Sequence, residues 1–204
     1  MIQLDTSWLQ HVQKTARYTG GEYNSIVKDH STVDVTMALA FPDVYEVAMS
    51  HLGIKILYGL VNRRDDAAAE RVFAPWHDME EEMRKRNIPL FSLETRTPIK
   101  DFDVLAFTLQ YEMSFTNILN MLDLAGIPMY AKDRDMDFPL LVCGGPCAFN
   151  VEPIADFFDI VSLGESEEWG DEFIDLYKAE KAKGFSGGKE AFLRKVAQIP
   201  GTYC

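Results

Sequence analysis

The sequence predicts an α/β domain built on a doubly wound parallel sheet, five main strands in the order 2-1-3-4-5, with helical extensions at both ends. Three observations predict it. Apolar runs of strand length, such as VDVTMALAF and DVLAFTL, alternate with segments whose apolar residues recur at helical spacing. The segments between the runs are long enough for right-handed crossover helices. Two of the runs end in glycine turns: Leu140–Cys143 leads into Gly144-Gly145-Pro146, and Asp159–Leu163 leads into Gly164-Glu165.

Taken in order, residues 4 to 16 place Leu4, Trp8, Leu9 and Val12 at helical spacing, a short amphipathic lead-in that Gly20-Gly21 breaks. Val33–Phe41 is the first strand, stopped by Pro42, which has no amide hydrogen to donate to a ladder. A loop over Asp43–Ser50 follows. The segment HLGIKILYGLVNRR carries a broad apolar stripe at Leu52, Ile56, Leu57, Leu60 and Val61, suited to lying on a sheet. Arg71–Ala74 gives a short second strand, and Pro75 opens a helix with Trp76, Met79 and Met83 on one face. Its acidic start and basic end suit the helix dipole. Leu90–Leu93 reads as an added edge strand and Asp103–Leu109 as a central one. The next helix carries Phe115, Ile118, Leu119, Leu122 and Ala125, and closes at Gly126 with Pro128 just beyond. After the two glycine-turn strands, a helix with Trp169, Phe173, Leu176 and Tyr177 ends in KAEKAKG. Gly184 to Gly188 breaks the chain, KEAFLRKVAQI forms a last helix, and Thr202-Tyr203-Cys204 follows with no capping element. The division is a lead-in at 1–32, the main domain at 33–183 and a C-terminal helix and linker at 184–204.

Composition narrows the partners. The 204 residues are 47% hydrophobic and 25% charged, as in ordinary globular proteins, and no internal repeat or low-complexity tract interrupts them. A formal net charge of -12 opposes nucleic acid and anionic membranes, which need clustered Lys and Arg, and favours a small molecule or another protein. No apolar run reaches the roughly 18 residues of a membrane helix, and MIQLDTSWLQHVQK has no apolar core for secretion, so a cytoplasmic protein is expected. Cys143, Cys147 and Cys204 have no framework spacing, which fits a reducing compartment. Cys143 and Cys147 would supply only half of a tetrahedral metal site, and Cys143 at a strand end reads as a small apolar core residue.

Ligands of doubly wound sheets sit outside the carboxyl ends of the strands. Glycines there permit close approach or a positive backbone dihedral. The cofactor-binding candidates are therefore Tyr45, Glu46, Ser50 and His51 after the first strand, and Thr108, Gln110 and Tyr111 after the third. Gly144, Gly145 and Pro146 follow the fourth, and Gly164 and Glu165 the fifth. Tyr45 and Tyr111 are placed to flank a flat ring or to serve as partial core. Glu46, Glu112 and Glu165 are explained as well by capping as by acid-base chemistry. No residue is assigned a catalytic role or a metal. G-x-x-x-x-G-K-[ST], G-x-G-x-x-G and G-x-S-x-G are all lacking, which leaves ATP, dinucleotide and serine-hydrolase readings without a motif.

The segments ARYTGGEYNSIVKD, FPDVYEVAMSHLGIKILYGL, ERVFAPWHDMEEEM, FTLQYEMSFTNILNMLDLAGIP and CGGPCAFNVEPIADFFDIVSLGESEE together resemble the N-terminal region of a family of cobalamin-binding-type radical S-adenosylmethionine proteins. The resemblance spans about Ala16 to Tyr177. It implies a flavodoxin-like (Rossmann-like) domain preceding a barrel that holds an iron-sulfur cluster through C-x-x-x-C-x-x-C and binds S-adenosylmethionine. It also implies that the domain presents cobalamin or substrate to that barrel. Two departures stand out. The D-x-H-x-x-G motif that supplies a histidine to cobalt is lacking, since Met49 stands where the aspartate would precede His51. No C-x-x-x-C-x-x-C occurs, Asn150 holding the place of its third cysteine, so the cluster and S-adenosylmethionine belong to a downstream barrel that this chain lacks. The stop at Cys204 is read as that of a fragment. The function expected is that of the cobalamin-binding-type domain of a radical S-adenosylmethionine enzyme, not catalytic alone. A ligand-free docking module of the same fold is the alternative, and an FMN electron carrier the third reading.

Overall fold

In the computed structural model, which describes residues 6–204, the five parallel strands are β1 (Val35–Phe41), β2 (Ala67–Phe73), β3 (Val104–Thr108), β4 (Leu140–Gly144) and β5 (Ile160–Ser162). A sixth, β6 (Thr202–Tyr203), pairs antiparallel with β5, giving the order β2-β1-β3-β4-β5-β6. The expected order 2-1-3-4-5 is reproduced with one edge strand added. Every residue of β1 and β2 is buried, so both strands lack the polar alternation of a one-sided sheet.

Helices cover both faces. On one lie α2 (Leu52–Asn62), α5 (Ser166–Lys181) and α6 (Gly188–Val196), which pack Ile54, Tyr58, Trp169, Phe173 and Phe192 against Met37, Leu39, Val104 and Val142. On the other lie α3 (His77–Arg86) and α4 (Phe115–Ala125), which pack Met79, Met83, Ile118 and Leu122 against Ala38, Ala40, Leu105 and Leu141. The alternation of side chains along each strand divides the two cores. Gly126 closes α4 with φ of 67°, the left-handed C-cap that its sequence position implies.

Four expectations are corrected. The lead-in is two 3-10 segments, Thr6–His11 and Thr15–Tyr18; Trp8 and Leu9 of the first and Val12 just after it are still buried, and Leu4 lies outside the described residues. The loop at 43–50 contains a short helix, α1 (Tyr45–Ser50), separated from α2 by His51. Leu90–Leu93 adds no strand: Phe91 makes an isolated bridge with Pro98. The Leu93 amide donates instead to the Arg71 carbonyl at 2.7 Å. The chain does end in an edge element, β6, because Gly201, at φ 80°, turns it back to pair with β5.

The outer edge of β2 is sealed by side chains rather than by a strand. Lys28 Nζ donates to the Ala67 carbonyl, Asn62 exchanges two bonds with Ala69, and Glu94 Oε2 accepts the Arg71 amide. With the Leu93 amide on the Arg71 carbonyl, these bonds occupy the outward carbonyls at 67, 69 and 71 and the amides at 69 and 71, which blunts an edge that would otherwise pair with another chain. No described helix is long and apolar enough to cross a membrane.

Candidate functional site

The carboxyl ends of β1, β3, β4 and β5 open into a crevice of about 250 Å³ between α2 and α5. That is space for roughly eight waters at the volume of about 30 Å³ each takes in the liquid. Leu39, Ala106, Val142 and Ser162, alternate residues of four strands, line its floor. Ile54, Leu57 and Val61 form one wall, and Trp169, Phe173 and Ile174 the other. Trp169 and Phe173 stack with centroids 4.9 Å apart and planes 8° from parallel. Arg64, just past α2, spans to α5 by ion pairs to Asp171 at 3.0 Å and to Asp175, so the two walls are tied together below the crevice.

Both glycine junctions reach this crevice. Gly145 has φ of 108°, and a Cβ there would meet the Leu109 carbonyl oxygen at 2.9 Å, so conformation and space both demand glycine. Gly164 has φ of 103° but nothing within 4 Å of a Cβ, so only its backbone conformation demands glycine. Gly144 is close-packed, a Cβ meeting the Ser162 carbonyl oxygen at 3.3 Å.

His51 lies where the chain crosses from α1 to α2. Its Nδ1 accepts the Ile54 amide at 3.4 Å as an N-cap, which places the ring proton on Nε2, 3.1 Å from Gln110 Oε1. Gln110 Nε2 in turn donates to Thr108 Oγ1 at 2.5 Å. The relay joins the loops after β1 and β3, the point where the sheet reverses its winding order. Gly53 makes room for it, since a Cβ there would lie 2.8 Å from His51 Cε1. With both ring nitrogens engaged, His51 offers no lone pair to cobalt, and the residues do not fit a cobalamin held through histidine.

Seven of the twelve sequence candidates line the crevice: His51, Thr108, Gln110, Gly144, Gly145, Gly164 and Glu165. Five lie outside it. Glu46 pairs with Arg17 at 2.9 Å and Lys14 at 3.2 Å, and the Arg17 bond, first among several, draws its carboxyl down to about 2. Tyr45 packs edge-on to Phe73 and donates to Glu22, and burial raises its hydroxyl. The Ser50 hydroxyl donates to the Glu46 carbonyl within α1. Tyr111 donates to Asp43 Oδ2 at 2.5 Å, a bond that raises its pKa, and Pro146 begins a 3-10 turn. The two tyrosines therefore do not flank a common ring in the crevice.

Sequence reading passed over Ser162, Gly53 and Ser166. Ser162 is buried and its Oγ has no hydrogen-bond partner. A serine inside the apolar run DIVSL was the available signal, because a buried hydroxyl normally finds a partner. Among the described residues no three His, Cys, Asp or Glu side chains gather as a metal would require.

A doubly wound sheet with an apolar crevice at its switch point defines the class, an α/β domain of flavodoxin-like architecture. The family described as radical SAM proteins, N-terminal, matches residues 53–204, and the chain belongs to that family, an accessory domain of radical S-adenosylmethionine proteins. An uncharacterised protein of Methanocaldococcus jannaschii is 28% identical over 134 residues, covering 64% of this chain and 24% of the relative. The chain thus spans about a quarter of the length of that relative. No solved structure matches.

Proposed function

We propose that this domain is a ligand-positioning module: the rim crevice receives a small molecule, substrate or cofactor, and holds it facing the radical-generating barrel of the parent protein. The observation that carries the reading is the convergence of the Gly145 and Gly164 junctions on one apolar cavity of about 250 Å³. Cavities of a few hundred cubic ångströms with few polar groups are the usual form of small-molecule sites. The geometry favours a ligand that enters the crevice whole. Cobalamin, far larger, would be held with no protein nitrogen on its cobalt and most of its bulk outside.

A docking module is the second reading, favoured by Met113 and Phe149. These rim residues after β3 and β4 are 86% and 76% exposed. Apolar side chains so exposed beside a crevice suit a covering partner.

Two titrations separate these. Hydroxocobalamin is added and the protein desalted; a retained corrin spectrum assigns the rim to cobalamin. The neutral dye prodan is added in parallel; a blue-shifted, saturable emission assigns the crevice to a smaller ligand. Neither response, at protein concentrations of about 100 µM, a typical range for weak ligands, overturns the ligand-positioning reading and leaves docking.

A further inference from the structure

We infer that the crevice selects an uncharged or cationic ligand and rejects phosphates and carboxylates. The inference rests on the ligand-positioning reading and deepens it.

The mouth of the crevice is the start of α5, and a helix N-terminus ordinarily attracts anions through its free amides and a dipole worth about half a positive charge. Here that attraction is outweighed. Glu165 and Glu167, both exposed, line the mouth and bring two full negative charges against that half charge. Asp171, also lining, is paired with Arg64 at 3.0 Å. Among the described residues no Lys or Arg lines the crevice. An anion would face like charge at the mouth and an apolar cavity beyond it, with no cation to offset its desolvation.

The floor supplies a second, independent pointer. Ser162 lies on the crevice face of β5, two residues beyond the buried Ile160, and is 97% removed from solvent. Its Oγ has no protein partner. The unpaired hydroxyl of this lining residue needs a rotation about its one side-chain torsion to meet a ligand, and its natural complement is a neutral hydrogen-bonding group such as an amide or hydroxyl. The ligand class is then a largely apolar body with an uncharged polar end at Ser162, and any charge it carries is positive and near Glu165 and Glu167.

Three probes of one skeleton test it: indole-3-acetamide, tryptamine and indole-3-acetate, titrated into the ¹⁵N-labelled protein while the amide signals of Ser162 and Gly164 are followed. The acetamide and the amine are expected to shift these signals with affinities at least tenfold above that of the acetate. Ser162→Ala is expected to weaken the acetamide roughly threefold to tenfold, the range of one neutral hydrogen bond. The double variant Glu165→Gln, Glu167→Gln is expected to bring the acetate within about threefold of the acetamide, as loss of the mouth charges requires. Acetate binding as tight as the acetamide in the unaltered protein overturns the charge selection while leaving the crevice reading intact. If none of the three probes moves the Ser162 and Gly164 signals, the crevice reading itself falls.

Discussion

His51 Nε2 stands 3.1 Å from Gln110 Oε1, so one hydrogen bond ties the entry of α2 to the loop after β3 across the sheet's switch point. That bond depends on a neighbour that makes no hydrogen bond in it. Gly53→Ala puts a methyl group 2.8 Å from His51 Cε1 and is expected to swing the ring away from Gln110. Histidine ¹⁵N shifts check this: the unaltered protein should show the Nε2-protonated tautomer at His51, and the variant a mixture of tautomers.

The two rim glycines should differ in their tolerance of a side chain. Gly164→Ala meets open space and bears only the left-handed backbone cost, about 1–2 kcal/mol. Gly145→Ala, at φ 108° and ψ -178° in a region essentially confined to glycine, bears about 1–3 kcal/mol of backbone cost and adds a 2.9 Å contact with the Leu109 carbonyl oxygen, whose backbone has little freedom to yield. Urea unfolding should place Gly145→Ala at least about 1 kcal/mol below Gly164→Ala, an overpacking cost at the low end of its range.

Acid should destabilise the domain. The Arg64 bond, first, and Lys178 hold the Asp66 carboxyl well below its ordinary value. Burial pushes Glu70 up, but bonds from His30, Ser92 and Thr95 outweigh it and the net displacement is downward. A carboxyl depressed in the folded state contributes stability above its unfolded pKa of about 4 and loses it as pH falls through the folded value. Glu94, raised by burial, acts in the opposite sense. With Glu46, Asp66 and Glu70 depressed and Glu94 raised, the urea midpoint should fall as pH drops from about 5 to 3, and Glu70→Gln should flatten that fall.

The three thiols should react in a fixed order. Burial pushes all three thiols up, Cys204 to about 11 and Cys143 furthest, but accessibility separates them: Cys143 is 1% exposed, whereas Cys147 is partly exposed at the rim and Cys204 is exposed. Iodoacetamide followed by peptide mass mapping should label Cys204 and Cys147 at pH 8 and leave Cys143 unmodified until urea is added, because only an accessible thiolate attacks.

The central architecture was legible because β1 and β3 are near-continuous apolar runs, whereas the stripe read on α2 was offset: Leu52 and Ile56 are exposed, and Ile54, Tyr58 and Val61 meet the sheet. β2 begins earlier than its sequence suggests: Ala67, Ala68 and Ala69 have weak strand propensity and become strand by pairing with Val35, Thr36 and Met37 of β1, a non-local ladder that local pattern does not show. β6 escaped notice because two residues, Thr202 and Tyr203, carry no periodicity. Gly144, Gly145 and Gly164 pointed to the crevice from sequence alone, as glycines at strand ends do. Tyr45 and Glu46 misled because both are claimed by the lead-in: Glu22, Lys14 and Arg17 hold them, contacts between segments too distant in sequence for local pattern to show.

The most direct measurement fills the crevice and asks whether binding is lost. Ala106 lines its floor on β3, and Ala106→Leu extends a side chain into the cavity. In the unaltered protein prodan emission should rise and shift to the blue with saturable dependence on dye, while the folded Ala106→Leu variant, verified by its urea midpoint, should give at most a tenth of that response. Equal responses from the two proteins would show that the dye, and with it the ligand, does not sit between α2 and α5.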